Sequence, residues 1–219
     1  MLSRDQAATM LTLQASMNAK VDPEWKAARY PYLRAVAIEG AEAIEHHGWK
    51  WWKKQDKDLA QLQMELIDIW HFILSEILLR HGPHADTSLD RLMVDVQGTE
   101  SRLQIEFDGK TYTLEELDLV SKLELLIALS VARRIEIAVF AAIMQDCELS
   151  WTGLFCQYVG KNVLNMFRQD NGYKEGTYQK IWGGREDNEY LVEIITILDP
   201  AQPGFKDEVY AALAAAYPA

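Results

Sequence analysis

Two pairs of acidic residues at helical spacing are the strongest chemical signal in the sequence. Glu39 and Glu42 are three positions apart, and so are Glu65 and Asp68. Residues three apart on an α-helix are separated by roughly 60° around its axis, so each pair can direct two carboxylates towards one point. Two such pairs on adjacent antiparallel helices would supply four hard oxygen donors, which suit Mg²⁺ and Mn²⁺. The pattern predicts a magnesium site in which manganese could substitute.

The residues around these acids are mostly apolar. Between positions 33 and 44 only Arg34, Glu39 and Glu42 are charged, and the second pair is embedded among Met, Leu, Ile and Trp residues. A buried carboxylate without a partner is unfavourable and tends to become protonated, so bound metal would explain acids in this setting. The alternative is that the acids form ordinary salt bridges or face solvent. Glu45 is also a rival partner for Glu42, because it too is three positions away.

A later segment has the opposite charge. Positions 39 to 68 contain seven acidic residues and four lysines, whereas positions 161 to 185 contain five Lys or Arg residues and two acids. Lys161, Asn165 and Arg168 recur at spacings of four and three, so they would share one helix face. Lys and Arg pair well with phosphate oxygens, and an acidic metal site facing this segment would suit a phosphorylated small molecule. The alternative is a solvated basic helix end.

Helices must position these residues. Ser3 is suited to cap a first helix that carries Gln14 and Asn18, and this helix should stop before Pro23. Pro31 suits the first turn of a second helix and Gly48 its end. A third helix is predicted over about residues 59 to 80, stopped by the sequence HGP at 81–83.

The second half of the chain also has mainly helical patterns. After a short helix near residues 89–96, Asp108 and Gly109 predict a small hairpin or a loop turn. Thr113 and Glu116 resemble a capping box that would open a long apolar segment to about residue 145. Further helices are predicted to start at Ser150 and to cover 187–198 and 205–217; Asp187 or Asn188 could cap the first of the last two. We therefore predict an all-α fold, a compact multi-helix domain over residues 1–219 with a small peripheral insertion at 83–112.

The composition excludes several classes of function. The chain has 219 residues, of which 49% are hydrophobic, and its longest apolar run is interrupted by Asp68, His71 and Glu76, so it cannot supply the ~20 apolar residues of a membrane span. A formal charge of −11 argues against binding to nucleic acid. We expect a cytoplasmic protein without a membrane partner, in which Cys147 and Cys156 are reduced core residues.

Several sequence motifs together resemble a known family. EGAEAIEHHGWKWWKK, ELIDIWHFILS, LQASMN near the start and GKNVLNMFRQDNGYKEGTYQKIWGGREDNEYL near the end are similar to motifs of the dimeric deoxyuridine triphosphatases. This family belongs to the all-α nucleoside triphosphate pyrophosphatases, so the resemblance implies that fold. The resemblance covers most of the chain, although residues 83 to 145 contribute little to it.

The resemblance implies a role for each matching residue. The metal-binding and catalytic acids would be Glu39, Glu42, Glu65 and Asp68. Residues at the uracil base would be Gln14, Asn18, Trp52 and His71. Residues around the phosphates and sugar would be Lys161, Asn165, Arg168, Tyr173 and Lys174. Because the family is homodimeric, part of the pocket would come from a second chain. For Trp49, Trp51 and Trp52, packing in the core is the expected fate of at least two.

These observations lead to one hypothesis and three alternatives. The hypothesis is magnesium-dependent hydrolysis of dUTP, and also of dUDP, to dUMP, with pyrophosphate released from dUTP, which limits uracil incorporation into DNA. One alternative is a related pyrophosphatase that acts on dCTP or a modified nucleotide. Another is a catalytically silent nucleotide-binding protein, and the third is a structural helical dimer whose acids only form ion pairs.

Overall fold

The chain folds into helices with very little sheet. The structure is a computed structural model that describes residues 1–81, 85–199, 202 and 204–218. Within these residues the predicted all-α fold class is confirmed. The α-helices are α1 (Arg4–Val21), α2 (Trp25–Ala28), α3 (Tyr32–His47), α4 (Leu59–His81), α5 (Ala85–Gln97), α6 (Leu119–Val131), α7 (Ile137–Asp146), α8 (Trp151–Asp170), α9 (Asp187–Ile197) and α10 (Phe205–Ala216).

The strands of the described residues form two short antiparallel hairpins. The first pairs β1 (Gln104–Phe107) with β2 (Lys110–Thr113), and the second pairs β3 (Ile181–Trp182) with β4 (Arg185–Glu186). Asp108 and Gly109 form the turn of the first hairpin with positive φ angles of 49° and 70°. This conformation is typical of a two-residue hairpin turn, so the predicted hairpin is confirmed.

The caps predicted for three helices are present. The Ser3 side chain accepts a hydrogen bond from the Gln6 backbone and begins α1, and the Ser150 side chain begins α8 in the same way. Gly48 ends α3 with a φ of 83°, a left-handed conformation that glycine adopts without strain. Pro31 precedes the first turn of α3 instead of lying in it.

The predicted capping box at Thr113 and Glu116 is wrong. Thr113 ends strand β2, and its side chain makes no capping hydrogen bond to the single 3₁₀ turn that follows. Asp118 caps α6 instead, because its carboxylate accepts from the Ser121 backbone at 2.7 Å. The long apolar segment is also broken into α6 and α7 at Arg133, whose φ of 63° interrupts the helix.

Helices α3 and α4 lie side by side and run antiparallel. The Asp58 backbone N–H donates to the His46 carbonyl at the end of α3 where α4 begins, and α3 has its most extensive contacts with α4. The buried polar residues of α4 are Glu65, His71 and Ser75, in a helix otherwise buried through Leu, Ile, Met and Trp side chains. These three residues mark the part of α4 that faces the candidate site.

Aromatic packing holds α4 in the centre of the fold. Trp70 is fully buried, stacks on Phe140 of α7 and meets Trp151 of α8 edge to face. Its indole Nε1 lies 3.4 Å from the Met10 sulfur of α1. One side chain of α4 thus contacts three other helices, which fixes the residues next to it.

Helix α5 is longer than the sequence predicted and packs against α1 and α4. The predicted helix stop at Gly82 and Pro83, and the first residues of the predicted insertion, lie outside the described residues. The assignment of residues 1–219 to one domain with an insertion at 83–112 stays a prediction. None of the helices in the described parts of the chain is long and apolar enough to span a bilayer.

Candidate active site

Three of the four predicted acids lie together between α3 and α4. One carboxylate oxygen from each of Glu39, Glu42 and Glu65 lies within 4.8 Å of the other two. Glu65 is buried, Glu39 is half-buried and Glu42 is exposed, so the group is open on one side. These oxygens are close enough to bind one divalent cation together.

The surroundings of these acids disfavour their charged forms. Burial, followed by the negative charges of Asp68, Glu65 and Glu42, raises the pKa of Glu39 to about 8. Burial and the charge of Asp68 likewise raise the pKa of Glu65 to about 7, although Lys161 opposes that shift. A bound cation would relieve both the burial and the mutual repulsion. The donor set therefore fits Mg²⁺, with Mn²⁺ as a substitute.

Asp68, the fourth predicted acid, has a different partner. Its Oδ2 atom accepts from the Lys161 ammonium at 2.8 Å, and Lys161 is buried. Lys161 also donates to Asn188 Oδ1 at 3.1 Å. The charge of Asp68 reaches Glu39 and Glu65, as their raised pKa values show, but its carboxylate does not belong to the group of three.

Three of the four predicted base residues, Gln14, Asn18 and His71, form a buried network where α1, α4 and α8 meet. Gln14 Nε2 donates to Asn18 Oδ1 and to Ser75 Oγ, both at 2.9 Å. Gln14 Oε1 lies 2.7 Å from His71 Nδ1 and 2.8 Å from the Tyr158 hydroxyl. The His71 ring stacks on the Tyr158 ring with centroids 4.2 Å apart. This end of the site is therefore held in one arrangement by side chains from three helices.

Arg168 is held in place by Asp187, a residue that the sequence analysis considered as a helix cap. Its Nε and Nη2 atoms donate to the two carboxylate oxygens of Asp187, each at 2.8 Å, while Nη1 donates to Asn165. Asp187 is fully buried and also accepts from the Tyr178 hydroxyl. Burial raises the pKa of Asp187, but its bonds to Arg168 and Tyr178 outweigh that effect and hold the pKa below its usual value.

The cap prediction for this region is wrong for a physical reason. Glu186, not Asp187 or Asn188, makes the capping box of α9 with Glu189. Asp187 instead points to Arg168, because a bidentate pair with a guanidinium satisfies a buried carboxylate better than one backbone N–H does.

A cleft of about 700 Å³ joins most of the predicted residues. Aromatic and apolar side chains of α1, α3 and the segment between them form much of its wall, including Trp25, Tyr30, Tyr32 and Ile38. The predicted site residues that line it are Gln14, Asn18, Glu39, Asp68, His71, Asn165, Arg168 and Tyr173. Its dimensions and mixed polar and aromatic lining are typical of a small-molecule site.

Five predicted residues do not line this cleft, namely Glu42, Glu65, Lys161, Trp52 and Lys174. Trp52 is 59% exposed, and its ring packs edge to face against the rings of Trp49 and Trp51. All three of these side chains are exposed, so the expectation that at least two pack in the core is wrong. Lys174 is exposed and donates to the Val21 carbonyl at 3.2 Å.

Glu45, the rival partner for Glu42, also lies apart from the acidic group. Its carboxylate accepts from Trp49 Nε1 at 2.6 Å and from Lys50 Nζ at 2.8 Å, and both bonds lower its pKa. Glu45 thus anchors the loop after α3.

Sequence reasoning missed several polar residues of the site. His46 Nε2 lies 3.3 Å from Glu65 Oε1, and its positions four after Glu42 and seven after Glu39 could have indicated a shared helix face. Ser75 follows His71 by four residues in an otherwise apolar stretch, which is a similar signal. Nothing in the local pattern around Tyr158 indicates its bond to Gln14.

Comparison with known proteins agrees with this geometry. A family model described as dUTPase matches residues 6–173, more than half of the chain. The comparison with individual curated proteins found no match. The matched segment contains the acidic group, the buried network around Gln14, and Arg168, all on helices of an all-α fold. The chain belongs to the dUTPase family, in its all-α type, and is a dUTP diphosphatase.

Proposed function

We propose that the cleft binds dUTP and that its hydrolysis to dUMP and pyrophosphate depends on Mg²⁺. The observation that carries this proposal is the convergence of Glu39, Glu42 and Glu65 within 4.8 Å beside a nucleotide-sized cleft. The same site would hydrolyse dUDP, because the base and sugar contacts do not depend on a third phosphate.

The acidic group would hold the metal. Glu39, Glu42 and Glu65 would supply its oxygen ligands, and Asp68, which pairs with Lys161 in this structure, would be the fourth. Bound there, Mg²⁺ would offset phosphate charge and lower the pKa of a nearby water, with Mn²⁺ as a substitute. Glu42 or Glu39 orients the attacking water and accepts its proton.

Basic residues stabilise the charge that develops as the phosphoanhydride breaks. Lys161 is already buried 2.8 Å from Asp68, and Arg168 is fixed by Asp187 with its Nη1 edge towards Asn165. Tyr173 lines the cleft near Arg168. We assign Lys161, Arg168 and Lys174 to the phosphates, and Asn165 and Tyr173 to the sugar and phosphates.

We propose that the active form is a homodimer and that Trp52 reaches the base pocket of the partner subunit. The exposure of Trp51 and Trp52, 86% and 59%, supports this proposal, because large exposed aromatic groups commonly mark an interface. In the cytoplasm, such an enzyme would limit uracil incorporation into DNA by removing dUTP.

The test measures dUMP formation from dUTP and dUDP. Turnover of dCTP, dTTP and UTP is measured alongside, because each is an alternative substrate. We expect fast turnover of dUTP with Mg²⁺, slower turnover with Mn²⁺ and none with EDTA. Turnover that persists in EDTA would refute the metal requirement. Faster turnover of dCTP than of dUTP would refute the assignment of the pocket to uracil.

A further inference from the structure

A second cavity, of about 850 Å³, lies in another part of the fold. Helices α6 and α7, two 3₁₀ turns (Gly98–Glu100 and Leu114–Glu116) and the start of α8 form much of its wall. It shares no lining residue with the cleft described above. Most of its lining lies between residues 83 and 145, which contribute little to the family resemblance. The cavity is therefore separate from the candidate active site.

A buried ammonium group on the wall of this cavity has fewer acceptors than it can use. Lys122 of α6 is 6% exposed, and its Nζ atom donates to Asp146 Oδ2 at 2.6 Å. An ammonium group carries three hydrogens, and the described residues offer Lys122 Nζ no other acceptor. A buried donor without an acceptor is unfavourable. Lys122 thus indicates a ligand that brings an acceptor into the cavity.

The partner of Lys122 adds an acceptor at the same place. Asp146, the last residue of α7, is half-buried and lines the cavity. Its Oδ2 atom is engaged by Lys122, whereas Oδ1 accepts from no described residue. The pair therefore presents a donor beside an acceptor. An amide group, with one carbonyl and one N–H, matches this arrangement.

The exposed part of the lining is acidic. Glu100, Glu115 and Glu148 line the cavity, and all three are exposed. Within the described parts of the chain, none of their carboxylates has an ion-pair partner. The Lys122–Asp146 pair is neutral as a unit, so the three glutamates give the lining a formal charge of −3. This charge attracts cations and repels phosphate groups.

Apolar side chains form the rest of the cavity that a ligand would contact. Leu103, Leu114, Met144 and Leu149 supply aliphatic surface, and Trp151 supplies an aromatic ring. Flat aromatic groups pack well against such a ring. The volume, the apolar surface and the few polar groups are typical of a small-molecule site.

We propose that this cavity binds a small organic cation that carries an aromatic ring and an amide group. The ring lies against Trp151 and the aliphatic side chains. The amide carbonyl accepts from Lys122, the amide N–H donates to Asp146, and the cationic group lies at the three glutamates. The proposal does not depend on the assignment of dUTP to the cleft, because the two sites share no residue.

Arginine 2-naphthylamide has all three features and is the probe. Isothermal titration calorimetry measures its binding to the full chain, with and without Mg²⁺ and the non-hydrolysable α,β-imido-dUTP. We expect the same affinity in both conditions, and weaker binding as the salt concentration rises, because salt screens exposed charges. Loss of binding when Mg²⁺ and the nucleotide are added would place the cation at the acids of the cleft and overturn the proposal.

Two analogues with the same ring test the role of charge. Neutral N-acetyl-2-naphthylamine keeps the amide and should bind at least about tenfold more weakly than the arginine compound. Anionic 2-naphthylacetate should show no binding. No binding of the arginine compound, or equal binding of the neutral analogue, would refute the assignment of a cation to this cavity.

Charge variants locate the site. The double variant Glu115→Gln, Glu148→Gln should weaken binding of the arginine compound at least about fivefold, because two exposed charges are lost. Lys122→Met keeps an unbranched side chain and should also weaken it, because the carbonyl loses its donor. Glu124→Gln is the matched control with wild-type affinity, since Glu124 is an exposed acid of α6 that does not line the cavity.

A filling variant tests the cavity itself. Ala141 of α7 is half-buried and lines the cavity, so Ala141→Phe should occupy its space and abolish binding while the helical circular dichroism signal is retained. Wild-type affinity in both Ala141→Phe and the Glu115, Glu148 double variant would mean that the cation binds elsewhere. If Ala141→Phe does not fold, the double variant decides, because both of its changes are at exposed side chains.

Discussion

At the scale of single residues, Glu39 and Glu65 occupy an unfavourable environment unless a cation is bound. Burial and neighbouring carboxylates raise both pKa values. In EDTA, Glu39→Gln should therefore melt at a higher temperature than wild type. Mg²⁺ at about 100 times its Kd should stabilise wild type by about 2.7 kcal/mol and the variant far less, while hydrolysis by the variant falls at least about 100-fold. Differential scanning calorimetry and dUMP assays measure these effects.

The control for this prediction is Glu45→Gln, because Glu45 lies on the same helix but outside the acidic group. It should show the wild-type response to Mg²⁺. A Glu39→Gln protein that Mg²⁺ stabilises as strongly as wild type would contradict the proposed ligand set.

Asp187 predicts a dependence of stability on pH. Its folded-state pKa lies below the usual 3.8, so the unfolded chain binds this proton more readily than the folded chain does. The stabilisation is therefore present above pH ~4 and is lost as the pH falls through the folded-state pKa. Asp187→Asn should lower the free energy of unfolding at pH 7 by about 3 kcal/mol and flatten its decline in acid.

Urea unfolding monitored by circular dichroism between pH 2 and 7 would measure this dependence. Asp56→Asn, which changes an exposed loop carboxylate, serves as the control and should leave the curve unchanged. An Asp187→Asn protein with the same acid decline as wild type would rule out the Arg168–Asp187 pair as its source.

At this scale the sequence predicted the acids but not their partners. Helical spacing places Glu39 beside Glu42, since the period of a helix is fixed. It cannot show that Lys161 pairs with Asp68, or that Asp187 pairs with Arg168 19 positions away. Those pairs depend on how α8 packs against α4 and α9, and local pattern carries no information about that packing.

At the scale of elements, helix α8 approaches α9 through a glycine. A Cβ atom on Gly160 would lie 2.7 Å from Ile195 Cγ2, closer than atoms can pack. Gly160→Ala should lower the free energy of unfolding by about 1–3 kcal/mol, and Ile195→Ala in the same chain should recover part of that loss. Thermal unfolding of the two single variants and the double variant gives the coupling energy.

Gly98→Ala is the control for the Gly160→Ala substitution, because a Cβ added at Gly98 would meet nothing within 4 Å. Its stability should stay close to that of wild type. Strictly additive effects of Gly160→Ala and Ile195→Ala would mean that the two residues do not limit the approach of α8 to α9.

Helix boundaries were predictable where a side chain caps its own helix. Ser3 and Ser150 accept from backbone groups three residues on, so the signal is local. The capping box predicted at Thr113 was wrong because Asp118, five residues later, caps α6 with its carboxylate. The helix break at Arg133 was not predicted because no glycine or proline marks it. The sequence alone did not distinguish Thr113 from Asp118 as the helix cap, and it did not mark the break between α6 and α7.

At the scale of the whole molecule, the exposed tryptophans predict that each site is shared between two subunits. If Trp52 serves the partner's cleft, Glu39→Gln and Trp52→Ala homodimers should each have low activity. In a mixed dimer, one site would combine an intact acidic group with an intact Trp52. Mixing and refolding the two variants together should therefore restore activity, up to about a quarter of wild type for random pairing.

Light scattering should first show a dimer in solution. Mixing Glu39→Gln with Asp68→Asn is the control, because both residues are among the four acids proposed to hold the metal and no restored site is expected if these residues act within one chain. If Glu39→Gln and Trp52→Ala fail to restore activity although mixed dimers form, Trp52 does not act across the interface.

The bond from the Tyr158 hydroxyl to the Met10 carbonyl has a consequence for the order of folding. These residues are 148 positions apart, and the Gln14 contact of the same hydroxyl spans 144. Contacts of such separation form late, because a long loop must close before they stabilise the chain. During synthesis α1 emerges first, yet its polar residues have no network to join until α8 has been made. The end of the cleft around Gln14 and Tyr158 is therefore among the last parts of the enzyme to acquire its structure, well after α3 and α4 can pair.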